Sequence, residues 1–114
     1  MANTCRRAWV PSTFLVADVG GEVVGRTSIR HELNDYLAAL GGHIGSAVRP
    51  AYRGRGHARE ILRQSLVIAR AEGVLVTCDD DNIASRRTIE RVGGVLDDVR
   101  AVPGAPLKRR YGIH

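Results

Sequence analysis

Arg53-Gly54-Arg55-Gly56-His57-Ala58 is the stretch of this sequence best suited to hold a phosphate. Glycines let backbone N–H groups approach a ligand closely, and the unpaired N–H groups of a helix's first turn, at its positive dipole end, favour an anion. The flanks fit that use. Upstream, His43-Ile44-Gly45-Ser46-Ala47-Val48 is short, apolar and stopped by Pro50. Downstream, Ala58, Ile61, Leu62, Ser65, Leu66, Ala69 and Glu72 recur at helical spacing, leaving Arg59, Glu60, Arg63 and Arg70 for the solvent side. The same spacing also describes an ordinary strand-to-helix turn with a basic surface, since short glycine motifs recur by chance. A second cluster, Asp79-Asp80-Asp81, lacks the spacing of a calcium loop and a downstream ligand to complete one, so no metal is expected.

The elements that must position the loop follow from periodicity. Thr13–Val19 and Val23–Arg30 flank Gly20-Gly21 and read as a β-hairpin. His31 to Leu40 carries Leu33, Leu37 and Leu40 on one stripe before Gly41-Gly42, which predicts a short helix. A strand near residues 43–48, the loop, and a helix to about Glu72 come next, and Gly73 ends that helix. Val74–Cys78 is a nearly continuous apolar run, the pattern of a strand buried on both faces, with Cys78 inside. Joined to the earlier strand through a helix, it predicts a parallel βαβ pair. Asp79 to Asn82 then caps a second helix, with Ser85, Thr88, Ile89 and Val92 inward and Arg86, Arg87, Glu90 and Arg91 outward, ended by Gly93-Gly94. Val95–Arg100 and Lys108–Ile113 read as two final strands.

Bulk properties narrow the partners. At 114 residues the chain reads as one domain, and its net charge of +5 comes almost wholly from arginine, Lys108 being the only lysine. That balance suits phosphate-bearing cofactors, nucleic acid or a membrane surface. Nucleic acid is the weaker expectation, because one Phe, one Trp and three Tyr spread along the chain make no stacking set. Cys5 and Cys78 give neither a disulfide framework nor metal-ligand spacing, so a reducing cytoplasm is expected. The N-terminus lacks the apolar core of a signal peptide, and no run has the length to span a bilayer.

Two motifs in order give the arrangement a resemblance to the GNAT superfamily of N-acetyltransferases. Val48-Arg-Pro-Ala-Tyr-Arg53-Gly-Arg-Gly56-His-Ala58 resembles the superfamily's acetyl-CoA loop, and Asn82-Ile-Ala-Ser85-Arg-Arg-Thr-Ile-Glu-Arg-Val-Gly93-Gly94 resembles the helix after its fifth strand. More narrowly, His31-Glu32-Leu33-Asn34, Gly41-Gly42-His43-Ile44-Gly45 and Thr77-Cys78-Asp79-Asp80-Asp81-Asn82 resemble a bacterial group of predicted acetyltransferases. The resemblance implies an α/β acyl-CoA N-acyltransferase fold, a mixed central sheet with flanking helices. It implies acetyl-CoA as co-substrate and a primary amine of a small molecule or protein as acceptor. The pyrophosphate would lie over Arg53, Gly54, Arg55, Gly56, His57 and Ala58, the pantetheine arm along Ile44–Val48, and Asn82 and Ser85 beside the cofactor.

The family reaction needs an oxyanion donor, a base for the amine and an acid for the leaving thiolate. A backbone N–H near Ala47 or Val48 suits the first role. Many members place a tyrosine acid where this chain has Ile89, which leaves Tyr111 as the candidate; His43 is the candidate base, with His31 and Glu32 behind it. The family's first strand and first two helices have no room before Thr13, so the fold is expected shortened at the N-terminus. A homodimer, with elements possible to exchange, would then complete the acceptor groove. The other reading is a non-catalytic acyl-CoA-binding module or partner subunit.

Overall fold

The hairpin forms where Gly20 and Gly21 take φ of +59° and +88°, and the Asp18 carboxylate accepts the Gly21 N–H at 2.9 Å. The computed structural model describes residues 10–69 and 73–114; Cys5, the residues before Val10, and Arg70 and Glu72 at the end of the first helical pattern lie outside the described residues. Strands β1 (Ser12–Val19) and β2 (Glu22–Arg30) pair antiparallel, and β3 (Ile44–Val48) adds antiparallel to the other side of β2. Val24 is an extra residue in β2, between the Ala17–Gly25 and Asp18–Val23 pairs, and its side chain is buried.

Helix α1 (His57–Ala69) covers one face of this sheet with Ile61, Leu62 and Ser65. Ser65 Oγ lies 2.9 Å from Thr27 Oγ1 and donates to Ile61 O at 2.7 Å, so the polar pair in the interface is satisfied. Gly25 permits this approach: a Cβ there would stand 2.4 Å from Ala47 O and 3.0 Å from Ile61 Cδ1.

Strands β4 (Val74–Asp79), β5 (Val95–Arg100) and β6 (Lys108–Ile113) make a second antiparallel sheet in the order β4-β6-β5. The last two strands have the bounds read from sequence. Helix α2 (Ile83–Arg91) follows β4, and Asn82 Oδ1 accepts the Ser85 N–H at 3.1 Å as its cap. One apolar cluster joins both sheets: Ile29, Ile44 and Leu62 meet Val74, Val76, Cys78, Ile89, Tyr111 and Ile113. Each such aliphatic side chain removed from water contributes about 1.5–3 kcal/mol.

Two expectations are corrected. The βαβ connection brings β3 and β4 together at their N-terminal ends, but they share no ladder; the sheet is divided into two antiparallel halves. The joint is local: His43 N–H donates to Leu75 O at 2.7 Å, and Leu75 N–H donates to His43 Nδ1 at 2.8 Å. The helix read from His31 starts later, because Asn34 caps it, Oδ1 accepting the Leu37 N–H at 2.9 Å. It closes as a π-helical turn, Leu37–Gly41. His31 instead prolongs the hairpin, its N–H donating to Pro11 O at 2.8 Å and its ring meeting Thr13 Oγ1 at 2.7 Å.

The joint sets a stability prediction. Gly42 has φ +72° and ψ −176°, and a Cβ on it would stand 2.6 Å from Leu75 O; Gly104 has φ +74° with nothing within 4 Å. Gly104→Ala should cost about 1 kcal/mol, the backbone cost alone. Gly42→Ala should cost about 3 kcal/mol or more, since the clash with the neighbouring strand adds to it. Urea unfolding of the two variants measures the difference; equal midpoints would refute it.

Candidate functional site

Away from the His43–Leu75 joint the two sheets diverge and leave a cleft of about 840 Å³. Ile44 to Val48 of β3 form one wall, Val76 and Thr77 of β4 the other, the glycine loop with the N-terminal part of α1 forms the mouth, and α2 lines the cleft from Ala84 to Arg91. Thr77 Oγ1 is already spent, donating to Leu40 O at 2.7 Å.

The backbone of β3 presents a defined edge to this space. At the two ends of its ladder with β2, Arg30 N–H donates to His43 O at 2.6 Å and Arg49 N–H donates to Val24 O at 2.8 Å. Antiparallel alternation then turns the peptide groups of Gly45 and Ala47 toward β2, and those of Ile44, Ser46 and Val48 toward the open edge. Arg53 Nε donates to Val48 O at 3.0 Å from that side, as the alternation requires. Of the two amides expected near the reacting centre, only that of Val48 faces outward.

In the loop, Gly54 and Gly56 have φ of +79° and +84°, and an added Cβ at either would meet nothing within 4 Å. Conformation, not room, requires glycine there. The Gly54, Arg55 and Gly56 amides donate to no backbone carbonyl among the described residues. With the first N–H groups of α1 they form a donor array at the mouth.

Sequence reading placed Ala47, Val48, Arg53, Gly54, Arg55, Gly56, His57, Ala58, Asn82 and Ser85 together. All line the cleft except Arg55, whose guanidinium lies over the Tyr52 ring at 5.7 Å, as that of Arg49 does at 5.6 Å. Tyr52 itself lines the mouth, with its hydroxyl bonded to Glu22. The charge of the lining was missed. Arg30, Arg53, Arg59, Arg87 and Arg91 all border the cleft, with no aspartate or glutamate among the lining residues. Arg59, Arg87 and Arg91 had been read as solvent-facing; the i, i+4 spacing of Arg87 and Arg91, beside Thr88, was the available signal.

A model of the acetyltransferase (GNAT) family matches residues 2–94. The chain belongs to that family. Solved structures agree on the fold. A Bordetella pertussis protein assigned to the GNAT acetyltransferases is 23% identical with a TM-score of 0.71, over 90% of this chain and 65% of that one. The microcin C7 self-immunity acetyltransferase MccE, in complex with acetyl-CoA and AMP, is 16% identical with a TM-score of 0.70, over 97% and 63%. A Vibrio cholerae spermidine N-acetyltransferase, the SpeG F149A mutant, is 17% identical with a TM-score of 0.69, over 90% and 64%. This chain therefore spans less than two thirds of the length of these relatives.

Both side chains expected to carry acid–base chemistry in this GNAT chain are placed elsewhere. His43 is absent from the cleft lining, and its Nδ1 lone pair is occupied by the Leu75 N–H. The neutral ring then carries its proton on Nε2 and has no lone pair left to act as a base. Tyr111 is fully buried; its hydroxyl donates to Glu90 Oε2 at 2.8 Å and accepts from Arg109 Nη1 at 3.2 Å. Burial, and then the Glu90 bond, push its pKa up, and it lies outside the cleft. It ties β6 to α2. Ile89 does line the cleft, at the position where many family members carry the acid, and offers only carbon.

Burial holds the His43 pKa below its ordinary value, so the unfolded chain binds this proton more tightly than the folded one. The contribution of the joint is thus present above about pH 6.5 and lost as pH falls through the depressed folded value. His43→Asn keeps a side-chain acceptor for Leu75 and removes the titration. Chemical unfolding between about pH 7 and pH 5 should show a loss of stability in the wild type that is smaller in His43→Asn; parallel pH profiles would refute the assignment.

Proposed function

We propose that this chain is the acetyl-CoA-binding core of an N-acetyltransferase that passes an acetyl group to a primary amine by direct attack. The carrying observation is the cleft between β3 and β4, with an open strand edge, a glycine loop at a helix N-terminus, and arginines but no carboxylate among the described lining residues. The amides from Gly54 to Ala58 cradle the pyrophosphate, and Arg53, Arg59, Arg87 and Arg91 neutralise the cofactor's phosphates. The Ser46 peptide group, turned to the open edge, bonds the pantetheine arm as an added strand would, with Asn82 and Ser85 on the facing side. The MccE complex with acetyl-CoA supports this reading by its shared fold.

Acetyl-CoA supplies the activated acyl group, whose carbonyl oxygen gains charge as the amine attacks. The Val48 N–H, turned to the open edge, is the donor for that oxygen, while Ala47 donates to β2. With no carboxylate in the lining and His43 committed to Leu75, the ammonium proton leaves to water. The sheet face away from α1, where Phe14 is 65% and Val16 63% exposed, supports pairing with a second copy that closes the acceptor side. A monomer mass independent of concentration would refute that pairing.

The second reading is an acyl-CoA-binding module without efficient turnover. It is favoured by the absence of a carboxylate among the lining residues and of a hydroxyl at Ile89, the one histidine of the lining, His57, being at the glycine loop. Thiol release from acetyl-CoA with a panel of amines separates the two: cofactor binding without turnover selects the module.

Two measurements follow. Arg87→Ala and Arg91→Ala should each weaken acetyl-CoA binding about 3- to 10-fold, with the loss shrinking as salt rises; unchanged affinity would remove both from the site. The amine's kcat/KM should rise with pH up to the free amine's own pKa, with the same profile in His43→Asn. A lower pKa that vanishes in His43→Asn would restore that histidine as the base.

A further inference from the structure

Arg30 stands at the inner end of the cleft, beside His43 at the start of β3, while the glycine loop follows the other end of that strand. Its register puts the side chain on the sheet face away from α1, against the bare backbone of Gly45. A Cβ on Gly45 would lie 3.0 Å from both Nη1 and Nη2 and 3.3 Å from Cζ.

The guanidinium is half-buried yet has no carboxylate partner among the described residues. Nη1 reaches only Gly41 O at 3.2 Å and Gly42 O at 3.4 Å, and neither Nε nor Nη2 has a partner among the described residues. Two other partly buried arginines are paired with carboxylates, Arg109 with Asp80 at 2.6 Å and Arg110 with Asp98 at 2.8 Å, and a third, Arg86, bonds the Asp80 carbonyl at 3.2 Å outside the cleft lining. Burial pulls the Arg30 pKa down, although a guanidinium remains charged. A desolvated cation with one side of its fork unspent is suited to a planar anion bound through two parallel bonds.

We propose that Arg30 holds an anionic group of the acceptor, so that the substrate class is amines bearing a carboxylate or a phosphate-type group near the amine. The proposal rests on the acetyltransferase reading above. Five arginines and no carboxylate around the cleft also oppose a polycationic acceptor such as spermidine.

The test compares four acceptors on the full chain with saturating acetyl-CoA: an α-amino acid, its carboxamide, its aminophosphonate counterpart, and spermidine. The expected result is a preference of about 10- to 100-fold in kcat/KM for the amino acid over its carboxamide, with spermidine poorest. Arg30→Gln should abolish that preference while leaving acetyl-CoA affinity unchanged, and Arg30→Lys should retain part of it. A larger preference for the phosphonate would identify a phosphate-type group as the natural anion. Equal use of amino acid and carboxamide by the wild type, or an equal fall for both in Arg30→Gln, overturns the proposal. Should Arg30→Gln fail to fold, the wild-type comparison and Arg30→Lys decide it. If no amine turns over, calorimetry of the amino acid and the phosphonate on the coenzyme A-saturated protein still decides. Binding lost in Arg30→Gln upholds the anion site while sinking the enzyme reading; no binding of either overturns the site.

Discussion

The joint between His43 and Leu75 is the constraint on which the cleft depends. Two three-stranded sheets share one apolar cluster, but next to the cleft β4 is tied to the start of β3 by one backbone bond, His43 N–H to Leu75 O, and one from the Leu75 N–H to the His43 ring. A longer ladder between β3 and β4 would fill the cleft, and the absence of any bond would let the sheets separate. A histidine serves here because its backbone N–H and its ring acceptor engage both polar groups of one facing residue. Gly42 lets the chain turn into β3 beneath Leu75 without a side chain in the way. The same commitment that holds the cleft open removes His43 from chemistry.

The two flanks of the opening are supported differently. On the β3 side, α1 packs through the buried Thr27–Ser65 pair and places its N-terminus beside the end of the strand. On the β4 side, α2 is anchored by Tyr111 through Glu90, and the turn before it by Arg109 through Asp80. Arg109, paired with Asp80, and a buried phenol thus act behind α2, while the five arginines of the cleft lining have no carboxylate partner among the described residues.

Local features of the sequence were legible, and long-range ones were not. Gly20-Gly21, the stripe Ile61-Leu62-Ser65, Asn82 as a cap and the bounds of the last two strands follow from short-range chemistry, and the structure agrees with each. Helix spacing also showed the glycine loop in its place. The parallel pairing of β3 and β4 was overstated because connection rules say which strands neighbour one another, not whether their edges stay bonded. His43 and Tyr111 looked reactive because residue type shows intrinsic acidity but not partners. Leu75 and Glu90, which occupy them, are 32 and 21 positions away. Arg59, Arg87 and Arg91 were assigned to solvent by a correct helical wheel, since a cleft mouth is solvent until a second element faces it.

A cleft lined by arginines and by no carboxylate among the described residues still carries a chemical bias. Nearby cations disfavour the ammonium form of a bound amine and favour the neutral form, which is the nucleophile. Cofactor phosphates would cancel that field beside the glycine loop, where Arg53 and Arg59 stand, more than at the inner end, where Arg30 has no carboxylate partner among the described residues. An acceptor's own anion on Arg30 would weaken the bias there while fixing the amine's position. Orientation and electrostatic activation therefore draw on the same guanidinium. On the proposed reading, an anionic acceptor gives up part of the second to obtain the first, and effective concentration, at about 10⁵ M or more for well-oriented groups, is the larger of the two effects.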